Sequence, residues 1–191
     1  MNYHNITKDD MLNGDGLRTV LWVAGCSHHC PECQNPITWD ANGGILFDEA
    51  AKQELFAELE KDYVAGITFS GGDPLNEANV ETLLSLAKEI KEKFPNKTMW
   101  IYSGYTWEEI RDAFEESKKW LQAKWKYPAV TRWELVSMCD VFCDGHYVKE
   151  CRDVNKPWVG SDNQRVIDVQ KSLSEGTICL HGDTKDDFER E

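Results

Sequence analysis

The sequence predicts one α/β domain whose strands run parallel, with helices packed outside them. Three observations carry that expectation. Short apolar runs that read as strands alternate with longer segments whose apolar residues recur at helical spacing. Neighbouring parallel strands need a long crossover, usually a helix, so the alternation reads as successive βαβ units. Finally, 191 residues suffice for one well-buried core and are few for two, with no internal repeat and no linker rich in Pro, Gly or Ser. Residues 1–181 are therefore expected to form a single domain.

Taken in order, residues 18–24 (RTVLWVA) read as a buried strand that runs directly into Gly25. After the Gly43-Gly44 turn, Asp48 is placed to cap a helix with Ala51, Leu55 and Leu59 on one face. Residues 66–70 (GITFS) form a second strand, stopped by Gly71, Gly72 and Pro74. Val80, Leu83, Leu84, Ala87 and Ile90 mark a helix that Pro95 and Asn96 end before a third strand, residues 98–102. Thr106 and Glu109 form a capping box for a helix reaching about residue 126. Within residues 115–133, Trp120, Trp125 and Trp133 read as an aromatic core stripe in preference to a docking insertion. Thr131 and Glu134 open a shorter helical turn, residues 140–144 form another strand, and residues 164–169 form the last. The charged tail, residues 182–191, has one apolar residue, Phe188, and is expected to be disordered.

Composition narrows the function class. No stretch approaches the roughly 18 uncharged apolar residues of a membrane helix. The first ten residues are polar where a secretory signal would be apolar. A cytoplasmic protein without a membrane partner is expected. The net charge of -13 argues against nucleic acid as a partner, because phosphate contacts require clustered Lys and Arg.

Of seven cysteines, Cys26, Cys30 and Cys33 fall together as C-x3-C-x2-C, the pattern of metal or redox chemistry in a cytosolic chain. A [4Fe–4S] cluster usually takes four thiolates. Three close cysteines leave one iron open to an outside ligand, a position that S-adenosylmethionine (SAM) can fill through its amino and carboxylate groups. A Cys3His zinc site using His28 or His29 is the rival reading. The second element is Ser70-Gly71-Gly72-Asp73-Pro74, following a strand. Its glycines admit a ligand close to backbone, and its free main-chain groups with Asp73 can receive an ammonium. Ligands of α/β sheets collect at such strand ends.

Together these motifs resemble the radical SAM superfamily, whose fold is a partial or full (β/α) barrel. The opening Met1-Asn2-Tyr3-His4 and Asn13-Gly14-Asp15-Gly16-Leu17-Arg18 look like the glycyl-radical-enzyme activases, although relatives commonly read Gly-Pro-Gly near the start. Cys33-Gln34-Asn35-Pro36 with Thr38-Trp39, and the blocks 100–105, 140–145 and 160–167, resemble the activating proteins of anaerobic ribonucleoside-triphosphate reductase. The resemblance implies that Cys26, Cys30 and Cys33 ligate a [4Fe–4S] cluster. It implies that Glu32, Cys33 and Gln34 lie along SAM, and that Gly71, Gly72 and Asp73 receive its methionine part. Ser103 and Asp144 would touch its ribose or carboxylate. The protein substrate would be the reductase, and the first electron would come from a low-potential donor such as flavodoxin. Two other readings stand beside it: a small-molecule radical SAM enzyme such as a deazaguanine synthase, and a zinc-stabilised interaction module.

Cys139 and Cys143 are expected on one face of a strand, well separated, as buried apolar thiols, with no role assigned to Cys151 or Cys179. His146 reads as a loop histidine, exposed or hydrogen-bonded. Trp39 reads as a shield for the cysteine loop or as core.

Overall fold

The computed structural model describes residues 1–119 and 128–182. The strands are β1 (Asn2–Asp10), β2 (Leu17–Val23), β3 (Ile45–Leu46), β4 (Val64–Gly71), β5 (Thr98–Tyr102), β6 (Val141–Asp144), β7 (Arg165–Asp168) and β8 (Cys179–Leu180). They form one sheet in the order β3-β1-β2-β4-β5-β6-β7-β8. Among the described residues only β2, β4, β5 and β6 pair in parallel. On one side β1 and β3, and on the other β7 and β8, join antiparallel. The architecture is thus mixed α/β with an open sheet, where alternation alone had suggested parallel strands throughout.

Helices α1 (Glu49–Leu59), α2 (Val80–Lys93), α3 (Trp107–Lys119) and α4 (Pro128–Met138) lie in the three parallel crossovers, and α5 (Val169–Glu175) links β7 to β8. Local chemistry accounts for their ends. Asp48 Oδ1 accepts from Ala51 N at 3.0 Å to cap α1. At α3, Thr106 N donates to Glu109 Oε2 (2.8 Å) and Glu109 N donates back to Thr106 Oγ1 (3.3 Å), the reciprocal box expected. Asp168 accepts from Lys171 N at 2.9 Å to start α5, and Gly176 ends it in the left-handed region at φ 69°. Val169 therefore opens a helix and does not close the last strand. Thr131 is buried inside α4, which has already begun at Pro128, so no separate turn starts there. The expected reach of α3 to residue 126, Trp120, Trp125 and the tail beyond Gly182 lie outside the described residues. Trp133 does pack as core, stacked on Phe114 at 5.6 Å and edge-on to Trp107 at 5.3 Å.

Strand alternation divides the interior into two clusters. Met99, Ile101 and Phe142 face the helices, meeting Leu55, Leu83 and Ile90 in the main core. Fully burying each such Leu or Ile stabilises by about 1.5–3 kcal/mol. Trp100, Val141, Cys143 and Val166 point the other way. Cys139, just before β6, sits in the helix-side core and Cys143 in the other cluster, so the two thiols do not share a face. Both are buried, as expected, and burial pushes both thiols up.

Beneath Trp100 lies Arg18, fully buried. Its guanidinium donates to Thr68 Oγ1 (2.9 Å), Asp15 O (3.0 Å), Thr98 Oγ1 (2.9 Å), Ile67 O (2.7 Å) and Thr98 O (2.9 Å). Burial without a carboxylate in contact pushes its pKa down to about 10. Trp158 and His181 pack edge-on against the same Trp100 at 5.3 and 5.1 Å. His181 Nε2 also meets Asp15 Oδ2 at 2.7 Å, linking the residue after β8 to the β1–β2 turn.

Candidate functional site

The site is assembled where β2 and β4 end side by side. Past their last paired residues, Gly72 N donates to Val23 O and Asp73 N to Gly25 O, both at 2.8 Å. This holds the Gly-Gly-Asp-Pro turn against the start of the cysteine loop. Glycine is required here: a Cβ on Gly72 would stand 2.6 Å from Gly25 O, and Gly71 has φ 105°. The cysteine loop is held from its other side by Gly25 N to Thr38 O (2.7 Å) and Cys26 N to Trp39 O (3.0 Å). Within it His29 and Glu32 adopt positive φ, 48° and 58°, a strained backbone kept by its surroundings.

A cleft opens between these segments. Cys26, Cys30 and Cys33 line it together with Gly71, Gly72 and Asp73, and with Ser103 from the end of β5. A neighbouring cleft shares Cys30, Cys33 and Ser70 and adds Gln34. Most of the residues singled out from sequence thus come together. Two do not line either cleft. Glu32 is exposed and pairs with Lys149. Asp144 is buried, with Oδ2 accepting from Trp107 N (2.8 Å) and both oxygens taken by Arg165 at 3.0 and 2.5 Å. Arg165 in turn grips Glu108 at 3.0 and 2.6 Å. The Asp144 carboxylate is a brace between α3 and β7.

The donors fit an iron–sulfur cluster. All three cysteines are free thiols, and burial pushes those of Cys26 and Cys30 up. Metal loading therefore has to release protons. Among the described residues no three Cys, His, Asp or Glu side chains are grouped to hold a single ion. His28, the zinc reading's fourth ligand, is committed elsewhere: Nε2 meets Asp73 Oδ2, and Nδ1 meets His146 Nε2 at 2.7 Å. His29 packs edge-on to Trp39 at 4.8 Å. Trp39 Nε1 and Tyr102 Oη, on residues of the cleft wall, are buried with no hydrogen-bond partner among the described residues.

Comparison with known proteins decides the family. A family model described as a 4Fe-4S single cluster domain matches residues 12–167. The anaerobic ribonucleoside-triphosphate reductase-activating protein of Enterobacteria phage T4 is 38% identical over 166 residues, covering 87% of this chain and 93% of that one. Its namesake from Haemophilus influenzae is 35% identical, covering 86% and 96%, and that from Escherichia coli strain K12 is 34% identical, covering 87% and 97%.

The chain belongs to the anaerobic ribonucleoside-triphosphate reductase-activating proteins.

In this reductase-activating protein the 4Fe-4S match takes in the cysteine loop, the Gly-Gly-Asp-Pro turn and the parallel strands. None of its described helices is long and apolar enough to cross a membrane. Sequence reasoning passed over several cleft residues: Tyr102, Tyr147, Gln164 and the non-metal role of His28. Tyr102 and Gln164 lie in blocks that carried the family resemblance, which was the available signal. Nothing in local periodicity points to them.

Proposed function

We propose that this chain is the activase of anaerobic ribonucleoside-triphosphate reductase, generating a glycyl radical on that protein by radical SAM chemistry. The observation that carries the reading is one cleft with three free thiols and the Gly-Gly-Asp-Pro turn in its walls. Residues 1–181 act as one domain, and the parallel run β2-β4-β5-β6 corresponds to the partial barrel of radical SAM enzymes. The protein works in the cytoplasm.

Cys26, Cys30 and Cys33 hold a [4Fe–4S] cluster as thiolates. When bound, the cluster and SAM supply a carbon-centred radical able to remove a hydrogen atom from a glycine of the reductase. The chain's own part is binding, orientation and exclusion of water. Backbone at Gly71 and Gly72 admits the methionine part of SAM, since no Cβ occupies that wall. An ionised carboxylate offers about four acceptor positions. At Asp73 three donors, from His28, Leu75 N and Ser103 Oγ, leave room for an ammonium. Glu32, at the rim, and Gln34, in the adjoining cleft, flank SAM beside Cys33. Ser103 acts through Asp73, and Asp144 through Arg165 and α3. A low-potential donor such as flavodoxin delivers the electron.

The test is the reconstituted protein, reduced without oxygen and mixed with SAM and the reductase. A glycyl radical signal on the reductase by electron paramagnetic resonance, with 5′-deoxyadenosine released, is expected. A full complement of iron and no radical on the reductase would refute the assignment.

A further inference from the structure

We propose that His28 is a positioning residue, tying the cysteine loop to the Gly-Gly-Asp-Pro turn and fixing the Asp73 carboxylate for its ligand. The inference rests on the activase reading and adds a residue to it.

His28 lies between Cys26 and Cys30, yet its side chain leaves the loop. The imidazole is 8% exposed and the Asp73 carboxylate 2%. An ionised carboxylate can only accept, so His28 Nε2 carries the hydrogen that Asp73 Oδ2 receives, and Nδ1 shares a hydrogen with His146 Nε2 at 2.7 Å. Asp73 Oδ1 accepts from Leu75 N (2.8 Å) and from Ser103 Oγ (2.9 Å), which also lies 3.0 Å from Oδ2. One carboxylate therefore joins the loop after β2, the turn after β4 and the end of β5, and His146 adds the loop after β6.

The ring has a built seat. Tyr105 stands edge-on at 4.7 Å. On its other flank is Gly104, where a Cβ would come within 2.5 Å of ring carbon Cδ2. Glycine at 104 is what lets the imidazole reach Asp73. A histidine merely filling space would not need two directed hydrogen bonds in so confined a position, because buried polar groups are costly unless paired.

Two consequences follow. Before a cluster is present, the loop between Cys26 and Cys30 is anchored through His28, so the thiols are preorganised. Once SAM enters, the direction of the remaining Asp73 acceptor position is set by the donors that already hold the carboxylate.

The experiment compares wild type, His28→Phe, His28→Gln and Gly104→Ala, each reconstituted anaerobically with iron and sulfide. Two readings are taken: the rate at which a chelator strips iron, and the SAM concentration that half-converts the resonance spectrum of the reduced cluster. His28→Phe and Gly104→Ala lose a hydrogen bond to a carboxylate and are expected to lose iron about tenfold faster and to need about tenfold more SAM. His28→Gln, whose amide N–H can reach the same oxygen, should recover most of both. Wild-type values in His28→Phe, or a His28→Gln as impaired as His28→Phe with equal thermal midpoints before loading, would overturn the proposal. If His28→Phe fails to fold, Gly104→Ala and His28→Gln decide it by the same two readings. Failure of the activase reading looks different: the wild-type cluster spectrum would not respond to SAM at all.

Discussion

Removing the Arg165 guanidinium should loosen the fold measurably without touching the cleft wall. Arg165 bridges the buried Asp144 carboxylate, 1% exposed, and Glu108, 42% exposed, and is itself 31% exposed. Breaking a fully buried ion pair by deleting one partner costs about 3–5 kcal/mol, whereas exposed pairs contribute about 1 or less. Arg165→Met leaves Asp144 with Trp107 N as its remaining donor at the buried end, while Glu108 rehydrates at the exposed end. A loss of about 2–3 kcal/mol is expected from these opposing limits. For a chain of this size that lowers the unfolding midpoint by about 5–10 °C. Circular dichroism melts and urea titrations of Arg165→Met, Asp144→Asn and the double variant measure it. The double variant should cost less than the sum of the singles, because Asp144→Asn removes the charge that Arg165→Met strands. A change below about 0.5 kcal/mol in Arg165→Met, or strict additivity, would refute the brace assigned to Asp144.

Acid should weaken the fold through two carboxylates. Arg165 holds Glu108, and Lys61 with Lys8 holds Glu58, below the usual carboxylate range. Their contribution is complete above that range and is lost as pH falls through the lowered folded values, so midpoints recorded downward from pH 6 should decline below about pH 4.5. A rise there would contradict it. Gly66→Ala should cost about 3 kcal/mol or prevent folding, since its Cβ would sit 1.9 Å from Thr98 O across the β4–β5 pair. Soluble yield and melting report it, and a neutral variant would falsify the packing. Cys26→Ser, Cys30→Ser and Cys33→Ser should each lose bound iron. Cys139→Ala should keep its iron content while losing about 1 kcal/mol of stability, read by iron assay and denaturation. Iron loss in Cys139→Ala would make that thiol a ligand.

What was legible in the sequence was whatever repeats locally. The helical faces of α1 and α2, the strand Thr98–Tyr102 and the Thr106–Glu109 box follow from period and capping, and all stand in the structure. The hidden elements carry weak periods. In β1 only Tyr3 and Ile6 are buried, so a strand beside the sheet edge reads as polar. Two-residue β3 and β8 exist because neighbours supply their hydrogen bonds. At the site, motif spacing singled out the three cysteines and Gly71, Gly72 and Asp73, which line one cleft, since backbone approach and thiol number are written in residue type. The bond from His28 to Asp73 spans 45 residues and that from Asp144 to Arg165 spans 21. Such pairings depend on which strand ends meet, and composition does not encode that.

The contact of His181 with Asp15, and the rings packed edge-on against Trp100, have a mechanical consequence. The two flanks of the unclosed sheet meet through side chains, not through a ladder of amide bonds. Parting them would break no strand pair: the open side of the sheet is held by the His181–Asp15 pair and by rings packed edge-on around the buried Trp100.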